Sequence, residues 1–70
     1  MKFKTNHSRY FKEWSLGKVR ILKDVYAKTF YPYQVQRYEV DRWVNIRAFR
    51  TLADAKEAAE WVLDDMIAFI

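Results

Sequence analysis

From Leu52 onward, apolar side chains recur in steps of three and four, at Leu52, Ala55, Ala59, Val62, Met66 and Phe69, with Ala58, Leu63 and Ile70 widening the stripe. That spacing predicts a helix over 52–69 with one buried face. Thr51 stands immediately before it, placed to accept a free N–H of the first turn, while Asp54 is placed to reach back to the Thr51 N–H. This is a capping box with Asp in place of Glu. Upstream the period changes to two. Residues 43–49 alternate, with Val44, Ile46 and Ala48 on one face and Asn45 and Arg47 on the other, and 33–40 reads as the strand before it. A three-residue loop, Asp41 to Trp43, sets Val40 opposite Val44 and Tyr38 opposite Ile46, with Arg37, Glu39, Asn45 and Arg47 gathered on the other side. A two-residue loop scrambles that separation, so the longer loop is the expected one. The absence of Gly also speaks against a tight primed turn.

A third strand is predicted over 18–26, with Val19, Ile21 and Val25 on one face, directly after the sole glycine, Gly17. The segment before it reads two ways. Residues 9–15 make a strand hairpinned through Leu16 and Gly17, or 8–16 make a short helix capped by Ser8 and stopped by Gly17. The strand is favoured because Tyr10, Phe11 and Trp14 suit a sheet and nine residues are few for a stable helix. The expected fold is therefore α+β: a three- to four-stranded antiparallel sheet with one C-terminal helix packed on one face.

Seventy residues with no cysteine form a single domain, 1–70, without disulfides, thiolate chemistry or Cys-based zinc. A reducing, cytoplasmic setting is expected. Residues 1–7 carry charge but no following apolar run of signal-peptide length, and no segment approaches a membrane span. The formal charge of +4 conceals a split. Residues 1–50 hold 12 basic and 4 acidic side chains, while 51–70 hold 1 and 5. A basic sheet backed by an acidic helix follows.

Catalytic chemistry is absent from the pattern. His7 is the lone histidine and reads as a solvated residue, no spacing resembles a metal site, and one glycine cannot build a phosphate loop. Carboxylates do cluster at Glu57, Glu60, Asp64 and Asp65, but on a solvent-facing helix flank they lack the burial that tunes them for acid–base work. No nucleophile and base pair can be nominated, so a non-enzymatic protein without cofactor or metal is expected.

Binding surfaces are the alternative. Trp61 falls about 120° from the centre of the apolar stripe, among Asp54, Glu57 and Asp65. It either lies along the helix flank and covers the sheet edge, or serves as an interface anchor ringed by charge. With Glu57, Glu60 and Asp64 it forms one candidate partner-binding set. Phe30, Tyr31 and Tyr33, around the sole proline, Pro32, form another in an aromatic loop that otherwise serves to close the core. A second class of function uses the open sheet face, where Arg20, Arg37, Arg47 and Arg50, with Trp43 and neighbouring aromatics, would neutralise phosphates and stack on bases. The opposed charges also suit a self-complementary homodimer.

The run Tyr33-Gln34-Val35-Gln36-Arg37-Tyr38, followed by Arg42-Trp43-Val44-Asn45-Ile46-Arg47-Ala48-Phe49-Arg50-Thr51-Leu52-Ala53-Asp54-Ala55, resembles the hairpin-then-capped-helix ending of small proteins encoded by bacteriophages and mobile elements, over residues 33–62. The resemblance implies a class of non-enzymatic binders that block host defence, anti-CRISPR proteins among them. On that basis the expected partner is a host protein or nucleoprotein complex, a CRISPR–Cas or other defence component, inside a bacterial host. A nucleic-acid-binding accessory protein is the alternative.

Overall fold

The computed structural model describes residues 3–26 and 28–68, the side chains of 66–68 excepted. Five strands, β1 (Lys4–His7), β2 (Phe11–Leu16), β3 (Val19–Asp24), β4 (Tyr33–Glu39) and β5 (Arg42–Phe49), precede one helix, α1 (Leu52–Ala68). The strands form an antiparallel meander in the order β1-β2-β3-β4-β5. The fold is α+β as expected, with one strand more than the three or four predicted.

The extra strand is β1. All four of its side chains are exposed, so it carries no apolar alternation and is held by backbone pairing to β2. The ambiguous segment before Gly17 is β2, with Trp14 turned into the core. Gly17 and Lys18 make a two-residue turn that sets Leu16 opposite Val19. Gly17 has φ 61°, the left-handed region that glycine enters without a Cβ penalty.

The β4–β5 hairpin departs from expectation. Glu39 pairs with Arg42, so the turn is the two-residue Val40-Asp41 and not the three-residue loop Asp41 to Trp43. Tyr38 therefore faces Trp43, and Arg37 faces Val44. The scrambling expected of a short turn is present, and a bulge adds to it. Val35 pairs with Arg47 and Gln36 with Asn45, which leaves Ile46 as an extra residue in β5. Beyond it the alternation is shifted by one, so Val44 and Ala48 lie on opposite faces. The turn has its own cost: Val40, a β-branched residue, sits at φ 60° and is 98% exposed.

The core lies between one sheet face and α1. Trp14, Val19, Ile21 and Val35 meet Ala55 and Ala59, with Phe3, Tyr33, Phe49, Leu52, Ala58, Val62 and Leu63 packed around them. The two fully buried alanines let the helix approach the sheet closely. Val19, Ile21 and Val35 are completely buried, each contributing about 1.5–3 kcal/mol of burial. Val25, expected beside Val19 and Ile21, lies beyond the end of β3 and is exposed. At the helix start, the Asp54 N–H donates to Thr51 Oγ1 (3.2 Å) and the Ala55 N–H to the Thr51 carbonyl (3.1 Å). The forward half of the capping box is therefore formed, while among the described residues the return bond from the Asp54 carboxylate is not. Of the predicted apolar stripe, Met66, Phe69 and Ile70 lie outside the described side chains.

Candidate protein-docking groove

β5 is an edge strand, so one side of its backbone has no partner in the sheet. Alongside it runs α1, which packs on β3, β4 and β5. Between the two lies a groove of about 570 Å³ whose lining includes Ile46 and Phe49 from the strand, Val35 from the sheet floor, and Ala58, Trp61 and Val62 from the helix. Arg47, Asp54 and Glu57 complete the rim.

Each wall has a local cause. The bulge turns Ile46 out of the regular alternation and leaves it 41% exposed beside the groove. Phe49 ends β5, and the Arg47 guanidinium lies 5.4 Å from its ring centroid. On the helix, Trp61 is one turn from Glu57 and two from Asp54, so the three line one flank. Trp61 is 70% exposed although it lines an apolar hollow. The indole thus borders the sheet edge while most of its surface stays exposed.

The other candidate residues are dispersed. Glu60 is half-buried, and Asp64 is exposed farther along the helix. Phe30 and Tyr31 lie in the β3–β4 connection, at the end of the sheet where α1 begins, and both are exposed. Tyr33 is half-buried against the core, its ring centroid 5.9 Å from that of Trp14. It packs the fold and does not extend the exposed loop.

The open sheet face differs most from expectation. Arg20 lies there, but Arg37 and Arg47 do not, because the register sets Arg37 opposite Val19 and Arg47 opposite Val35, on the helix side. The two-residue turn and the bulge put them there. Arg37 pairs with Glu39, while its buried Nε has no hydrogen-bond partner. Arg20 is engaged on every side. Its Nε donates to Gln36 Oε1 (2.6 Å), an Nη donates to Glu13 Oε2 (3.3 Å), and the guanidinium stacks 4.2 Å from the Trp43 ring. Gln36 Nε2 in turn donates to Asn45 Oδ1 (2.5 Å), and Trp43 meets Tyr38 edge-on at 5.3 Å. This is a cross-strand polar and aromatic network that binds the sheet to itself. Arg50 is exposed at the β5–α1 junction, away from it.

Sequence reasoning missed Ile46, Phe49 and Arg47 as groove residues. A bulge leaves no mark in the alternation, so nothing in the pattern of residues 42–49 places Arg47 and Phe49 on the helix side. Among the described residues no helix is long and apolar enough to cross a membrane, and no three His, Asp or Glu side chains gather as metal ligands. Comparison of the chain with family models, with curated proteins and with solved structures returned no match.

Proposed function

We propose that this chain is a small non-enzymatic binding protein that docks an extended segment of a host protein, or of a nucleoprotein complex, along the β5 edge. The observation that carries this reading is the juxtaposition of a free strand edge with an apolar groove capped by a mostly exposed tryptophan. An added strand satisfies the unpaired backbone of β5, and its side chains alternate toward and away from the groove. One apolar side chain seats against Ile46, Phe49 and Trp61. Cationic neighbours on the same segment meet Asp54 and Glu57. The three arginines of this edge region, Arg42, Arg47 and Arg50, disfavour pairing of β5 with a second copy of itself, which makes a foreign strand the better occupant than a homodimer.

The resemblance of residues 33–62 to phage-encoded anti-defence proteins supports inhibition by occupation as the biological role, with a CRISPR–Cas or other defence component in the bacterial cytoplasm as the target. Affinity capture from bacterial lysate, followed by titration of the purified captured protein, tests the reading. Trp61→Ala weakens binding by about thirtyfold or more, the loss typical of a central aromatic anchor. Glu57→Lys weakens it further by charge reversal. Unchanged affinity in both variants refutes the groove as the docking surface.

A further inference from the structure

A second surface lies at the end of the sheet where the β1–β2 turn, the β3–β4 connection and the β5–α1 junction meet. Its centre is a contact that folding does not explain. Lys12 of β2 stands directly opposite Lys23 of β3, with His7 of β1 next in the same row. Like charges set opposite each other across a sheet destabilise it. Neither lysine has a carboxylate partner among the described residues. Lys23 Nζ instead donates to Tyr33 Oη at 3.5 Å and lies 5.1 Å from the Tyr33 ring centroid. Arg9 and Lys28, both exposed, flank the row from the adjoining loops. The strand-end carboxylate of Asp24 stands opposite Phe11, one position beyond the lysine pair, and so faces the other side of the sheet, where its Oδ1 accepts the Tyr26 N–H.

The loops at this end present rings. Tyr10, Tyr26, Phe30 and Tyr31 are all exposed, Phe30 at 80%, and Tyr10 and Tyr26 sit 6.0 Å apart. Two short local bonds shape the connection: the Asp24 carboxylate accepts from Tyr26, and Thr29 Oγ1 accepts the Tyr31 N–H at 3.2 Å. They set the aromatics in turns, where no side-chain layer covers them. Burying such rings in the core would add stability, so their exposure is costly unless a ligand covers them.

We propose that this corner binds a single-stranded polynucleotide, with Lys12, Lys23, Arg9 and Lys28 on its phosphates and bases stacked on the loop aromatics. Cations fit any polyanion, but separate flat rings carried on turns fit unstacked bases, and an extended strand presents both phosphates and π-faces. A duplex hides its base faces. A membrane surface would be met by a contiguous aliphatic tip, whereas among the described residues Val25 is the one exposed aliphatic residue of these loops. The contacts read no sugar, so single-stranded DNA and RNA bind alike. The site shares no residue with the β5 groove, and each reading stands or fails by itself.

Fluorescence anisotropy with labelled oligothymidylate and oligouridylate of about a dozen nucleotides tests this. Both bind at low salt, with log K falling against log salt at a slope of about −2 to −3 for four phosphate contacts. The double variant Lys12→Gln/Lys23→Gln flattens the slope by about 1.4 and weakens binding. Its urea midpoint stays equal or rises, because an opposed charge pair has been removed. Phe30→Ala/Tyr31→Ala weakens binding by about tenfold or more with the fold intact. Absence of binding at low salt overturns the proposal, as does binding that either double variant leaves unchanged. Recruitment to phosphatidylserine vesicles in place of the oligonucleotides also overturns it and assigns the corner to lipid.

Discussion

Two turns in this sheet use the same unusual backbone, and only one has the residue suited to it. Gly17 has φ 61° and Val40 has φ 60°. For an L-residue the left-handed region costs about 1–2 kcal/mol, and β-branching places Val at the upper end. Val40→Gly removes that cost. It forfeits almost no packing, since Val40 is 98% exposed. Against the gain stands the greater freedom of glycine in the unfolded chain, about 0.5–1 kcal/mol. The net expectation is a stabilisation of about 1 kcal/mol, or about 4–8 °C in Tm for a domain of this size. Urea denaturation of the two proteins measures it, with an unchanged m-value confirming that the denatured state is not altered grossly. The reverse substitution, Gly17→Ala, is expected to destabilise by about 1 kcal/mol. A Cβ there meets only Leu63 Cδ1 at 3.6 Å, an ordinary contact, so the loss comes from φ and not from a clash. If Val40→Gly is neutral or destabilising, the hairpin geometry inferred for residues 39–42 is wrong, and the β5 register and bulge lose their support.

Ile21→Ala, at a fully buried site facing Trp14 and Val35, is expected to cost about 2–5 kcal/mol and to leave little of a 70-residue domain folded at 37 °C, read by circular dichroism. Thr51→Ala removes the cap on the Asp54 N–H and costs about 1 kcal/mol in the same assay. Trp61→Ala lowers stability by less than about 1 kcal/mol, since the side chain is largely exposed. A larger loss would mean that the indole holds the helix to the sheet and is not available to a partner.

Helix and core were legible in the chain because their signals are local or periodic. The three- and four-residue steps from Leu52 reappear as buried Ala55 and Ala59, and Thr51 forms the bond expected of it. Val19 and Ile21 hold the inward positions expected of them, whereas Val35, which shares a face with Arg37, is inward against expectation. What escaped was set by pairing. β1 is stabilised by backbone hydrogen bonds to a neighbour and carries Lys4-Thr5-Asn6-His7, a run with no hydrophobic period to detect. The β4–β5 register departs from expectation because Val35, not Tyr38 and Val40, turns inward: the two-residue turn then sets Arg37 opposite Val44 on the helix side, and the bulge at Ile46 brings Arg47 opposite Val35. The same bulge exposes Ile46 to the groove. Trp61 was visible as an outward tryptophan, but its apolar surroundings come from a strand that only the folded chain brings beside it.

The central claim is that the α1–β5 groove receives a partner's strand, and site-specific photocrosslinking in bacterial cells tests it most directly. A benzoylphenylalanine in place of Ile46 faces the groove, and one in place of Asn45 faces the open sheet surface. The expected result is a discrete covalent adduct from position 46, absent from position 45 and lost when Trp61→Ala is added. Adducts of equal yield from both positions, or an adduct from position 46 that survives the loss of Trp61, would contradict the account.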